Sequence, residues 1–469
     1  MRRILLACAL ATLASGCGGS SEPTGPIGGP PPPPPPPPVN VASVTLENMP
    51  IELETGKSKV ATATPRTAAG LAVTGRTITW TSSDNSIATV AGGTINAVAP
   101  GTVTITAATD GQSKGASVKV DTRAGFLTTI VESVRAQYDL PALAGGIVTR
   151  SDGVFGAAVS GRRRASQATP VTINDLWHIG SNLKAITAHV AGIAVAEGKI
   201  NWTTTLAEAY PELSVTMRVE YRNVTLRQLL GHTGGMIPNL NANQVPAGTL
   251  PAQRAAIAQI ATAMVPSGGG VGVYNYSNVG FIIAANMVER AMVMSWEQVM
   301  QTRLLAPLGI TAFGWGPTPT GHPVGHQRSG SGWSEWPGSD NPPFASSAGR
   351  SHWSLDAYGK VLQDIMKADQ GQSSLVSQTV ARVNTTSQSA ANYGSGWLVS
   401  NNAPWTGAGR GVEHDGSNNL NYARMQVALD RGVAVLAVTN SHDTGSQRSN
   451  NAMVDLTTRL WAYYALHGN

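Results

Sequence analysis

DLWHIGSNLKAIT, residues 175–187, sets Ser181 three residues before Lys184 at the mouth of an apolar helical stretch. Residues three apart share one helical face. Lysine is strongly disfavoured in apolar surroundings unless something there uses it. At the helix start, Ser181 lies near the positive end of the helix dipole, which favours a developing alkoxide. Free lysine titrates near about 10.4, and burial lowers that value. A neutral amine takes the serine proton; a charged one stabilises the alkoxide once another base has taken it. Either role accounts for a buried lysine beside a hydroxyl. Lys184 is the only lysine in the chain with a serine three residues before it. A capping serine beside a snorkelling lysine has the same spacing, so the pair needs partners before it means chemistry.

Two further stretches supply them. VYNYSNVGF, residues 273–281, contains Tyr276-Ser277-Asn278. A tyrosine hydroxyl near Lys184 relays a proton to a leaving group, and the Asn278 amide holds a substrate carbonyl. A rival Tyr221-Arg222-Asn223 lies in a charged connecting stretch and reads as surface chain. GVEHDGSNN, residues 411–419, puts His414-Asp415-Gly416 before strand-like sequence. Glycine there lets a strand edge approach an acylated serine, and the backbone N–H groups of Ser417 and Ser181 are candidates for an oxyanion hole. Ser-x-x-Lys, Tyr-Ser-Asn and His-x-Gly in this order resemble the serine β-lactamase and penicillin-binding protein superfamily, the class C branch with its DD-peptidase and esterase relatives above all. LRQLLGHTGGM, PLGITAFGWG, ASSAGRSHWSLDAYGKVL and YGSGW resemble family segments in family order. The resemblance runs from about Phe126 to the C-terminus. It implies that Ser181 is the acylated nucleophile, that Lys184 and Tyr276 share the acid–base work, and that His414 to Ser417 line the substrate on an edge strand.

Departures from the family pattern bear on the substrate. Class C β-lactamases carry lysine where this chain has His414. A histidine near its ordinary value of about 6.5 is only partly charged at neutral pH, and Asp415 adds a negative charge beside it. A substrate carboxylate is then gripped less firmly, which points to an ester, amide or peptide. The Glu-x-x-Leu-Asn stretch of class A enzymes does not follow the serine. Other conspicuous residues carry less. His322 and His326 sit in a Gly/Pro loop with no acidic neighbour in sequence, so zinc is not expected. His232 in GHTGG reads as a hydrogen-bonded structural turn. Trp315, Trp333, Trp336 and Trp353 either line a cleft or pack loops. Ser441-His442-Asp443 has triad residue types side by side, which is not triad geometry.

These residues need elements to hold them. AGFLTTIVESVRAQYD reads as an amphipathic helix and LAGGIVTRSDGVFGAAVSG as a hairpin. SNLKAITAHVAGIAVAEG is apolar nearly all round and predicts a buried helix ended at Gly198. MQVALD and VAVLAVTN predict late strands, before a last amphipathic helix over 453–466. An early hairpin, late strands and two terminal helices predict one antiparallel sheet with helices on its faces and an inserted helical region.

The first 121 residues have another texture. Arg2 and Arg3 precede an apolar run to Leu13 and then Ala14-Ser15-Gly16-Cys17, the layout of an export signal. The small residues before Cys17 resemble a lipobox, with Cys17 as the lipid attachment point; ordinary signal cleavage nearby is the alternative. Cys8 and Cys17 are the only cysteines, so the exported form has no disulfide and no Cys-rich metal site. Gly, Ser and Pro dominate to Val39, with unbroken proline from Pro30 to Pro38, which predicts a stiff polyproline spacer. Residues 41–121 are short β-branched stretches between turn residues, the pattern of a small all-β sandwich. TWTSSDNSIATVAGGTINAVAPGTVTITA closely resembles bacterial Ig-like group 2 domains, which act as spacers or adhesive modules. Gly111-Gln112-Ser113-Lys114-Gly115 matches the Gly-x-Ser-x-Gly lipase pattern, but strand-like sequence flanks it on both sides and predicts a hairpin turn.

The 469 residues therefore divide into a signal at 1–16, a linker at 17–40, an Ig-like domain at 41–121 and a β-lactamase-like domain at 123–469. The fold expected is multidomain: an all-β sandwich, then an α+β domain with α/β/α layers. Net charge is only +5 and no basic stripe interleaves with aromatics, so nucleic acid is not a partner. The expected protein is an exported, lipid-anchored serine hydrolase of the cell envelope that needs no cofactor. Its partners are a small-molecule or peptide substrate, peptidoglycan fragments among them, and a membrane reached through the anchor. The alternatives are a true β-lactamase or D-alanyl-D-alanine carboxypeptidase and, in another class, a non-catalytic cell-wall-binding surface protein.

Overall fold

The computed structural model describes residues 39–443 and 445–468. The export segment, Cys17 and the proline run lie outside the described residues. The first domain is all β. A four-stranded sheet (Glu52–Glu54, Gln112–Asp121, Gly101–Thr109, Thr79–Ser82) faces a three-stranded one (Ser58–Val60, Thr94–Ala97, Ala88–Ala91). Ile95, Val103, Ile105, Val118 and Val120 fill the space between them. The lipase-like pentapeptide is the hairpin turn that its flanks predict. Asp110 and Gly111 both have positive φ, at 48° and 78°, the requirement of a tight two-residue hairpin. Ser113 lies inside the following strand.

The sandwich runs on into the second domain through a single residue. Its last strand ends at Asp121, and the next helix, Arg123–Gln137, begins after Thr122, whose hydroxyl caps it by accepting from the Gly125 N–H. Arg123 pairs with the buried Glu54 carboxylate at 3.1 Å, and the Tyr463 hydroxyl donates to the same carboxylate. Phe126, Tyr463 and His467 pack ring against ring beside this pair.

The second domain is built on a six-stranded sheet. Its order is Gly153–Gly161, Ala142–Thr149, Val433–Thr439, Tyr422–Ala428, Gly411–Ser417 and Leu398–Val399, antiparallel throughout. Strand periodicity decides the layers, because successive side chains leave opposite faces. Val433, Val435 and Ala437 pack under the terminal helices Arg123–Gln137 and Arg448–His467. Ala434, Leu436 and Val438 face the inserted helices instead. The result is an α/β/α sandwich.

The helix Leu183–Ala196 runs through the middle of the inserted layer, with every residue from Leu183 to Ala194 buried. Positive φ at Gly198 ends its run. Arg254, wholly buried, ties the layer together by bonding Glu289, Glu297 and Ser346. The last helix begins at Arg448, five residues before the position predicted.

Candidate active site

Ser181 sits in the single 3-10 turn Gly180–Asn182, which leads directly into the buried helix. Gly180 has φ of 52°, a left-handed conformation that turns the chain sharply enough to leave Ser181 at the cavity wall. One turn on, Lys184 is fully buried. Its Nζ lies 3.0 Å from Ser181 Oγ and donates to the Ala348 carbonyl at 2.5 Å. Among the described residues no carboxylate is bonded to this amine, and burial pushes it well below its ordinary 10.5. A neutral amine with one N–H on Ala348 keeps a lone pair for the Ser181 proton. Of the two roles left open by the sequence, this environment favours the base.

Tyr276 faces the same site: it lines both cavities together with Ser181, and Lys184 Nζ lies 4.9 Å from its ring centre. Burial raises this phenol above its usual 10.0, so it stays protonated and acts as a donor. The loop that carries it is fixed on both sides. The Ser277 hydroxyl donates to Ile237 and caps the helix Asn278–Met292 by accepting from the Gly280 N–H. His232 accepts the Ser277 N–H on Nδ1 at 3.1 Å and packs 4.3 Å from the Tyr276 ring. Among the described residues its Nε2 has no partner, so the structural histidine expected from sequence is satisfied there at one nitrogen only. Asn278 lines the cavity with Ser181, and its amide donates to Asn239 Oδ1 at 2.8 Å.

The third motif closes the site. Gly411–Ser417 is second from the sheet edge, and the outermost strand covers it only at Val412 and Glu413. No strand pairs beyond Glu413 on that side among the described residues, so His414 to Ser417 behave as an edge. Gly416 presses on the nucleophile turn: a Cβ there would lie 2.8 Å from the Ser181 nitrogen and 2.7 Å from that of Asn182. A Cβ on Gly180 would in turn meet the backbone of Gly416 and Ser417 at 2.7 and 2.8 Å. Two glycines back to back thus bring the amides of Ser181 and Ser417 onto touching chains, the arrangement an oxyanion hole requires. The Ser417 hydroxyl accepts the Asn419 N–H and pairs with His442 Nδ1, each at 2.8 Å.

His414 departs from the sequence expectation of a partly charged residue. Tyr393 donates to its Nε2 at 2.9 Å, and its Nδ1 donates to the Asp415 carbonyl at 2.5 Å. Burial, with Lys184 adding to it, pushes the imidazole down to about 3. It is a neutral wall of the cavity.

Other expectations are corrected by tertiary partners. Tyr221 is core: it is fully buried and donates to the Gly235 carbonyl at 3.0 Å. His322 does have an acidic partner, Asp175 at 3.1 Å, which Arg163 also holds. His326 bonds the backbone of Ala165 and Asn440. Among the described residues no three His, Cys, Asp or Glu side chains cluster as metal ligands would. None of the four tryptophans lines either cavity at Ser181; Trp353 packs on Phe313, and Trp333 donates to the Asp139 carbonyl. In Ser441-His442-Asp443, Ser441 bonds Thr439 and Asp443 caps a turn, while His442 alone reaches the site through Ser417. Sequence reasoning set His442 aside and missed Tyr393, the Ala348 carbonyl and Gly180. Tyr393 and Ala348 lay inside YGSGW and ASSAGR, stretches quoted only for their likeness.

An α/β/α domain with serine, buried lysine and tyrosine converging beside an edge strand defines a serine acyl-transfer fold. Residues 127–459 match the family model described as Beta-lactamase, and the chain belongs to that family. Residues 40–120 match the Bacterial Ig-like domain (group 2). Over 180 residues the chain is 25% identical to penicillin-binding protein 4 of Amycolatopsis lactamdurans, covering 38% of this chain and 46% of that protein. It is 27% identical over 176 residues to monacolin J acid methylbutanoyltransferase of Aspergillus terreus, covering 34% and 42%. The chain thus spans under half the length of these curated relatives. The solved class C β-lactamase of Rhodobacter sphaeroides shares the fold, with TM-score 0.57 and 17% identity over 72% of this chain and 99% of that one.

Proposed function

We propose that the chain is a serine hydrolase acting through an acyl-enzyme on an ester, amide or peptide. The observation that carries this reading is the buried Lys184 amine at 3.0 Å from Ser181 Oγ, bonded to no carboxylate among the described residues. Ser181 Oγ attacks the substrate carbonyl carbon as its proton passes to Lys184 Nζ. The oxyanion is held by the N–H groups of Ser181 and Ser417. When the tetrahedral intermediate collapses, the bond to the leaving group breaks and the Tyr276 hydroxyl supplies the departing group's proton. Lys184 returns a proton to Tyr276. Water then attacks the acyl-enzyme by the same route in reverse, releasing the acid and restoring the Ser181 hydroxyl.

Ser181→Ala abolishes turnover of a short-chain p-nitrophenyl ester and labelling by a fluorophosphonate or penicillin probe; activity equal to wild type in that variant refutes the proposal. Nitrocefin compared with the ester separates a β-lactamase from an esterase, and the neutral His414 favours the ester. Failure of every acylating probe would favour the non-catalytic wall-binding reading, against which the complete Ser181–Lys184–Tyr276 set argues. We also propose a lipid anchor at Cys17 on the cell envelope. Its test is Cys17→Ser, which moves the protein from the detergent to the aqueous phase on Triton X-114 partition; no movement refutes it.

A further inference from the structure

Ser181 opens on two cavities of unlike chemistry. One, about 440 Å³, presents the amides of Asn239, Asn278, Asn341 and Asn418 and has no charged side chain in its wall. The other, about 430 Å³, is walled by Tyr274, Tyr276, Tyr393 and Tyr422. Its charged groups are Glu413, Asp415 and Arg424. The one guanidinium is committed to Glu413, at 2.9 Å, and reaches Asp415 at only 3.5 Å. Glu413 is further satisfied by the Ser400 hydroxyl and the Gln426 amide. The Asp415 side chain remains 41% exposed. His414 supplies no compensating charge, since both of its nitrogens are engaged as a neutral ring, and Lys184 is buried behind Ser181. Two carboxylates against one guanidinium leave the tyrosine cavity with a net negative charge. Tyrosine faces add attraction for a cation.

We infer that the substrate carries a protonated or quaternary amine on the flank that enters the tyrosine cavity, and that a carboxylate there is rejected. The inference rests on the acyl-enzyme reading and names the substrate class of that site.

Two matched series test it on the full chain. The first is the butyrate esters of choline, 3,3-dimethylbutanol and 3-hydroxypropanoate, followed by proton release. The second is the p-nitrophenyl esters of 4-(trimethylammonio)butyrate, 5,5-dimethylhexanoate and glutarate. Within each series the shapes are close and the charge steps from positive to neutral to negative. In at least one series kcat/KM falls about tenfold per step, the size of a single charge at cavity distance in a partly solvated site. Asp415→Asn narrows the cation-to-neutral ratio by about tenfold. Equal or inverted ratios in both series, with Ser181 still labelled by fluorophosphonate, overturn the inference and leave the acyl-enzyme reading intact. An unlabelled, inert wild type sinks both. If Asp415→Asn is not labelled, the wild-type ratios alone decide.

Discussion

Gly416→Ala is the sharpest probe of how the site is assembled, because the added methyl meets only backbone. At that position a Cβ would lie 2.7 Å from the Asn182 nitrogen and 2.8 Å from the Ser181 nitrogen, and closer still to the Ile179 carbonyl oxygen. Ordinary van der Waals contact begins at 3.4 Å, and none of these atoms belongs to a side chain that can swing aside. The strand Gly411–Ser417 must therefore back away from the nucleophile turn by roughly 1 Å, a displacement that can cost about 10²-fold when it moves a catalytic group. The Ser417 N–H moves with the strand, and removing one oxyanion donor costs about 10²–10³ in kcat. Overpacking of this kind destabilises by about 1–3 kcal/mol, which a urea melt reads separately from the catalytic loss. The assay is kcat on a p-nitrophenyl ester beside a urea melt and the rate of fluorophosphonate labelling. The expected outcome is kcat down by about 10²-fold or more with a shifted but cooperative melt. A kcat within a few-fold of wild type would show that Ser417 does not hold the oxyanion, and the assembly argument would fail.

Three further outcomes follow from the same contacts. Burial depresses Lys184, so kcat/KM should rise with pH along a limb centred well below 10.5, as the amine loses its proton. A limb at the ordinary lysine value would remove Lys184 as the base. Arg254 is wholly buried between Glu289, Glu297 and Ser346, so Arg254→Met leaves the buried Glu289 carboxylate and the half-buried Glu297 without their guanidinium. A loss of about 3–5 kcal/mol in urea unfolding is expected, and a loss under 1 kcal/mol would contradict that account. Glu54 is raised by desolvation, but bonds from Arg123 and Tyr463 outweigh this and hold it below 4.5. Its contribution is thus present above 4.5 and is lost as pH falls through the lower folded value. Glu54→Gln should lower the melting temperature at pH 7, and the gap to wild type should shrink as the medium is acidified; a gap that widens in acid would reverse the sign.

What the sequence disclosed depended on how local each constraint is. Ser181 and Lys184 are one helical turn apart, so the helix alone brings them together, and the apolar run around them signals burial. The sheet was legible for the same reason, since Val433–Thr439 is apolar at every position but one and reads as a strand covered on both faces. Tyr276 and Gly416 needed the family resemblance, because nothing in their own spacing says that two loops and an edge strand converge. Tyr221 was misread because Arg218, Glu220 and Arg222 surround it, and the short turn Val219–Tyr221 directs a single side chain inward. The tryptophans were left undecided because a Gly/Pro-rich loop gives no periodicity from which direction can be inferred. His322 hid its carboxylate partner, which lies 147 residues away.

The charge of the cleft is the extreme case of this dependence. Glu413, Asp415 and Arg424 are all visible in the chain, and counted by type they say little about sign. The sign follows from register: Asp415 stands opposite Arg424 across the strand pair and Glu413 opposite Gln426, yet the guanidinium reaches diagonally to Glu413. A diagonal neighbour is within reach of a side chain as long as arginine. The same register turns His414 inward toward Tyr393, where burial disfavours a charged ring. A lysine at that position would bring the opposite sign into the cleft. The histidine that stands where the class C pattern has lysine therefore takes a cation out of the cavity and leaves Asp415 to share Arg424, at 3.5 Å, with Glu413.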